Sequence, residues 1–200
     1  NTGRMSGTIN KQWFLYQEKE VFQDKRQKKL ILGIPNELEK GENRICLPPE
    51  SVHILVSMGH EVLIQRGAGN NAYYGDTEYA DAGAMIVETL GEVYTADVVL
   101  KATSVSAGDT VYMHDRQVIL SPLKLCDMRK DAITEMMQKK VTAVGFDILK
   151  DGEGYYPVVR IMSEIAGNSA IMIASEYLNN SRGGKGIVLG GISGITPAEI

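Results

Sequence analysis

Pro49-Glu50-Ser51-Val52-His53-Ile54-Leu55-Val56-Ser57-Met58-Gly59-His60-Glu61-Val62-Leu63-Ile64 is the stretch whose reading decides the fold. Proline near the first turn and glycine just past the last one bracket a helix. Val52, Leu55 and Val56 fall on one face of it. Glu61–Ile64 then follows as a short apolar strand. A helix that runs straight into an apolar strand is half of an α/β repeat.

The same alternation extends outward. Leu30–Ile34 is an apolar run stopped by Pro35. Asp76 is expected to cap a short helix through Ala82, closed by Gly83. Ala84–Val87, Asp97–Lys101, Val118–Leu120 and Val141–Phe146 read as strands, and Glu88–Ala96 and Met128–Lys139 as helices. Continuous apolar runs suit a parallel sheet covered on both faces, and the intervening helices suit right-handed crossovers. The expected class is α/β, with a Rossmann-like (flavodoxin-like) parallel sheet. Asp151-Gly152-Glu153-Gly154 is a turn that ends this unit. Ile161–Leu178 reads as one long helix with small residues along it, and Gly186–Leu189 as a strand before Gly190-Gly191.

Composition narrows the function classes. The 200 residues are 44% hydrophobic and 23% charged, ordinary globular usage. No apolar run approaches the ~20 residues that cross a bilayer, so no membrane span is expected. With a net charge of −4, nucleic acid is not an expected partner. Cys46 and Cys126 form neither a disulfide framework nor a metal pair, and reduced thiols suit the cytoplasm. His53, His60 and His114 have no i, i+4 spacing, so no metal site is expected. Residues 1–29 stand apart as an N-terminal extension. They carry seven Lys/Arg, three Asp/Glu and four of the 13 aromatics. A helix or arm is expected over Lys11–Lys29, with Trp13, Phe14, Tyr16 and Phe22 packing on a domain or a second subunit.

Gly67-Ala68-Gly69-Asn70-Asn71-Ala72 fits the spacing G-x-G-x-x-A after a strand, with Glu88 about 20 residues on. A dinucleotide fingerprint needs a helix to begin within the glycines, so that its amides meet the pyrophosphate. Here the next helix starts near Asp76, and a plain turn is expected. Arg44 follows the first strand, where an open α/β sheet holds its ligands. Its planar guanidinium suits a carboxylate, although on its own a loop arginine is more often a surface charge. Lys101 and Lys124 fall at the same sheet edge, either as solvated lysines or as two more cations over one crevice.

Taken together, several segments resemble the N-terminal half of the alanine dehydrogenase/pyridine nucleotide transhydrogenase family. They are Leu32-Gly33-Ile34-Pro35 with Glu42-Asn43-Arg44; Gly59-His60-Glu61-Val62-Leu63 with Gly67-Ala68-Gly69; Tyr79-Ala80-Asp81-Ala82-Gly83-Ala84 with Val99-Leu100-Lys101; Met162-Ser163-Glu164-Ile165-Ala166-Gly167; and Gly183-Gly184-Lys185-Gly186-Ile187-Val188-Leu189-Gly190-Gly191. The resemblance runs from about Leu30 to Ile200. It implies a substrate domain over residues 30–158, and a linker helix with the start of an NAD-binding domain over 159–200. In the family the phosphate loop and a catalytic aspartate follow the segment matching Ile195–Ile200. These 200 residues alone are therefore expected neither to hold NAD tightly nor to turn over substrate.

The implied reaction is NAD-linked, reversible oxidative deamination of L-alanine to pyruvate, in a cytoplasmic homo-oligomer acting on a small amino acid or 2-oxo acid. Arg44 matches the arginine that binds the substrate carboxylate. Met162 matches a residue lining the substrate site, and Ser163 one that touches the nicotinamide side of NAD. Thr103 stands where the family has a substrate-binding lysine, and Lys124 where it has an acid/base histidine. A lysine, with a reference pKa near ~10.4, shuttles protons at neutral pH only when its surroundings depress that value. Lys101 is expected either to stand in for the missing lysine or to pair with a carboxylate as a structural residue. The departures at 103 and 124 leave two alternatives: a transhydrogenase-like dinucleotide-binding protein, and a saccharopine-type dehydrogenase with another substrate.

Overall fold

The computed structural model describes residues 28–37, 41–190 and 193–194. Six strands form one sheet: β1 (Ile31–Ile34), β2 (Glu61–Gln65), β3 (Met85–Val87), β4 (Val98–Leu100), β5 (Val118–Ser121) and β6 (Thr142–Gly145). All five pairings are parallel, in the order β3-β2-β1-β4-β5-β6. The parallel, doubly wound α/β fold is as expected. Its strand order is the Rossmann one, 3-2-1-4-5-6, rather than the flavodoxin-like 2-1-3-4-5. The winding reverses between β1 and β4, and the crevice beyond their C-terminal ends is where such sheets take ligands.

Among the described residues six α-helices alternate with the strands: α1 (Pro49–Ser57), α2 (Asp76–Asp81), α3 (Leu90–Val93), α4 (Ala107–Thr110), α5 (Lys130–Gln138) and α6 (Pro157–Leu178). The pleat of β2 explains how both sheet faces are filled. Val62 and Ile64 point into one buried cluster with Ile34, Val52 and Tyr79. Leu63 points to the opposite face, with Val93, Tyr94, Val99 and Ile119. Gly33 lies where α3 crosses β1. A Cβ on it would stand 2.4 Å from the Val93 carbonyl oxygen, so only glycine permits that approach.

Local capping chemistry explains where the structure differs from the sequence reading. Asp76 does not cap α2. Its Oδ1 accepts from the Gly67 amide at 2.8 Å, while Glu78 accepts from the Gly75 amide at the helix start. The helix expected over Glu88–Ala96 is one turn, started by a Thr89/Glu92 capping box. The turn α4 arises from Ser106, whose amide and hydroxyl both donate to Asp109. α6 begins at Pro157, four residues earlier than expected, because proline is well suited to the first helical position. Gly186–Leu189 forms no strand. A strand needs a hydrogen-bonding neighbour, and none of the described strands pairs with it. Lys28 and Lys29 are not helical; the rest of the helix expected over Lys11–Lys29, and the aromatics at 13, 14, 16 and 22, lie outside the described residues.

The Gly67–Ala72 segment is a plain turn. It carries a single 3-10 turn at Asn70–Ala72, and α2 starts only at Asp76. The Gly67 amide is already engaged by Asp76. Glu88, at the ribose-binding distance in sequence, is instead held in a bidentate pair by Arg66. Among the described residues no helix is long and apolar enough to cross a membrane.

Candidate functional site

Because all six strands are parallel, the loops after β1, β4, β5 and β6 leave the sheet on one edge. They converge there with the segment 41–48 and the first turns of α6. Together they enclose a cavity of about 880 Å³. Its walls are mostly apolar, from Ile45, Leu100, Leu120, Pro122, Phe146 and Val159. Its ionisable lining is Glu42, Arg44, Cys46, Lys124 and Asp147, and Thr103 and Met162 complete it.

Arg44 stands on the loop after β1 and is half exposed. Its fork is occupied from within the chain: Nε donates to Glu42 Oε1 at 2.8 Å and Nη2 to Glu42 Oε2 at 2.6 Å. These bonds hold the Glu42 carboxyl below the usual carboxylate range. The remaining nitrogen, Nη1, lies 3.7 Å from Met162 Sδ on α6. Residues 118 positions apart thus meet across the cavity mouth. An incoming carboxylate reaches Arg44 through Nη1, or by displacing Glu42 from the fork.

Lys124 follows β5 in a left-handed conformation with φ 40°. Its carbonyl accepts from the Asp127 amide at 2.8 Å, which closes the turn and leaves the side chain at the cavity wall. Arg44 and Lys124 therefore line one crevice at the C-terminal edge. Thr103 lines it too, with its hydroxyl donating to Glu37. Ser163 is on an exposed part of α6, next to Met162, and is not in the cavity wall.

Of the two roles expected for Lys101, reaching the substrate and pairing with a carboxylate, the structure shows the second. Its side chain is 0% exposed and contributes nothing to the lining. The ammonium lies between two buried carboxylates, 3.1 Å from Glu37 Oε1 and 3.3 Å from Asp109 Oδ2. The reason is strand parity: Val99 and Lys101 point toward one side of the sheet, where Asp109 of α4 waits behind the site. Glu37 was missed by the sequence reading although it lies three residues past the end of the first strand. Its carboxylate accepts from the Ala102 amide at 2.6 Å and the Thr103 amide at 3.2 Å, and so fixes the loop that carries Thr103. Ser106-x-x-Asp109 is itself a capping signature, and was the available signal for α4.

Cys46 lies in the cavity wall, and burial pushes its thiol up to about 12. Cys126 is exposed. At pH 8 an alkylating reagent is expected to modify Cys126 and to spare Cys46, since the thiolate is the reactive form. Peptide mapping after brief labelling checks this. Equal labelling of both peptides would mean that the cavity wall opens to solvent.

Residues 33–166 match the family described as alanine dehydrogenase/PNT, N-terminal domain. The chain belongs to that family. The alanine dehydrogenase of Staphylococcus saprophyticus is 32% identical over 171 residues, covering 86% of this chain and 46% of the relative. That of Methanococcus maripaludis is 33% identical over 172 residues, again 86% and 46%. A solved L-alanine dehydrogenase superposes with a TM-score of 0.77 at 29% identity, covering 84% of this chain and 46% of that one. A transhydrogenase from Sinorhizobium meliloti gives 0.55 at 28% identity, over 60% and 35%. The chain spans about half the length of the alanine dehydrogenases it matches.

Proposed function

We propose that this chain is the substrate-binding half of an alanine dehydrogenase-like, NAD-linked amino-acid dehydrogenase, which interconverts L-alanine and pyruvate. The observation that carries the reading is the meeting of Arg44, Lys124 and Met162 around one cavity at the β1–β4 reversal. Arg44 binds the substrate carboxylate, with geometric selectivity once its fork is released by Glu42. Lys124 faces the reacting carbon as a donor: its ammonium donates a hydrogen bond to the carbonyl oxygen of the oxo acid, and it carries the proton itself where bound substrate and cofactor strip the water around Nζ. A substrate seated against the mostly apolar wall displaces water from it, which strengthens both contacts.

Bound NAD supplies hydride transfer. The Gly67 turn is not its pyrophosphate site, because Asp76 fills it and no helix opens there. Exposed Ser163, beside the cavity-lining Met162, would meet only the nicotinamide end. We assign residues 30–158 to the substrate domain and 159–200 to the linker helix and start of the NAD domain, with 1–29 an N-terminal extension. The exposed Ile161, Ile165, Ile171 and Ile173 of α6 support further contacts within the full protein and in a homo-oligomer. Two free cysteines suit the cytoplasm.

NADH formation by the full-length protein, with a panel of L-amino acids, tests this reading. Turnover of L-alanine or another small amino acid is the expected result. Dinucleotide binding with no turnover of any amino acid would overturn it in favour of a transhydrogenase-like role.

A further inference from the structure

We propose that Thr103 is the specificity residue that recognises the substrate's amino group, by accepting a hydrogen bond from it. This rests on the amino-acid dehydrogenase reading of the same cavity. Thr103 is half-buried and lines the cavity. A hydroxyl has one proton and two lone pairs. The proton of Thr103 is committed to Glu37 Oε1. That oxygen also receives the Thr103 amide, and the other oxygen of the same carboxylate receives the Ala102 amide at 2.6 Å. Lys101 Nζ stands 3.1 Å from Oε1. A carboxylate acts only as an acceptor, so turning the hydroxyl proton toward the cavity would break a charge-assisted bond, and the proton stays on the Glu37 side. What Thr103 offers a ligand is a lone pair.

A lone pair selects an N–H group and gives nothing to a carboxylate or a ketone. It is also a strengthened acceptor, because a hydroxyl that donates to an anion is polarised along the chain of bonds. The charges behind it favour a cation as well. Glu37 and Asp109 carry two negative charges against the one positive charge of Lys101, and all three side chains are buried. The two acids of the cavity wall do not compete for the role. Glu42 is clasped by Arg44 until a substrate carboxylate takes its place, and Asp147 Oδ1 accepts from the Leu123 amide at 3.3 Å; Thr103→Val leaves both acids intact, so its effect on the N–H ligands reports on the hydroxyl alone. A donor-only lysine at this position would face a ligand oxygen; the threonine held by Glu37 reverses that polarity. The ligand is thus gripped at two chemically distinct ends, its carboxylate at Arg44 and its ammonium at Thr103.

The test is steady-state kinetics of the full-length protein and its Thr103→Val variant, which keeps the shape and loses the hydroxyl. Three Michaelis constants are compared: those for L-alanine, for ammonium and for pyruvate. The first two are expected to rise by about 10-fold, the scale of a lost charge-assisted hydrogen bond. The constant for pyruvate, which has no N–H, stays within about twofold. Thr103→Ser restores most of the loss, and serves also if the valine variant does not fold, by retaining values close to the parent while Thr103→Ala does not. A uniform rise in all three constants, or no rise in any, would overturn the proposal while the parent protein remains an active dehydrogenase. If the parent itself turns over no amino acid, the dehydrogenase reading falls, and the role of Thr103 falls with it.

Discussion

Lys101→Met is expected to lower folding stability by about 3–5 kcal/mol, the cost of leaving buried charges without their partner. Methionine matches the stem of lysine and fills its space, so little of the loss comes from packing. The loss comes from Glu37 and Asp109, which are 6% and 1% exposed and would be left with no cation between them. Glu37 keeps the amides of Ala102 and Thr103, and Asp109 keeps the Ser106 amide and hydroxyl. Those bonds soften the penalty without removing it. At a urea m-value of about 2 kcal/mol/M, the unfolding midpoint falls by roughly 2 M. Adding Asp109→Asn removes one of the orphaned charges and is expected to recover part of the loss. A midpoint unchanged by Lys101→Met, with a raised Michaelis constant for substrate, would return Lys101 to a substrate-binding role.

Arg44→Met is expected to reduce kcat/KM for L-alanine by about 100-fold, mainly through KM. Removing a charged hydrogen-bond partner costs about 1.5–3 kcal/mol, and here a second effect adds to it. Glu42, whose side chain is 14% exposed, loses the guanidinium that neutralises it and stays in the cavity wall as a bare carboxylate. It then repels the substrate's own carboxylate. Arg44→Lys keeps the charge but not the planar fork, and should fall between the parent and the methionine variant. Combining Arg44→Met with Glu42→Gln removes the repulsion and recovers part of the loss. An unchanged KM in Arg44→Met would show that the carboxylate is bound elsewhere.

The fold was legible where the signal is local. Pro49 and Gly59 bracket α1 as expected, and the apolar runs locate all six strands of the sheet. Strand order was not legible, because a short apolar run carries no label for its neighbour; only the assembled sheet distinguishes the order 3-2-1-4-5-6 from 2-1-3-4-5. Gly186–Leu189 has the composition of a strand but no described partner, and composition cannot supply one.

The site shows the same division. Arg44, Lys124, Thr103 and Met162 come together at one sheet edge, as parallel topology requires of loops that follow strands. The pairing of Lys101 depends on residues 37 and 109 arriving from different elements, which strand parity hints at and spacing does not. Glu42 lies only two positions before Arg44, and its grip on the guanidinium fork was available as a local signal.

The most direct measurement is a crystal structure of the full-length protein with NADH and pyruvate. Pyruvate is expected in the cavity beyond β1 and β4. Its carboxylate should lie within about 3 Å of an Arg44 guanidinium nitrogen, with its keto oxygen toward Lys124. Pyruvate bound outside that cavity, or bound within it with Arg44 still clasped by Glu42 and out of contact, would contradict the account.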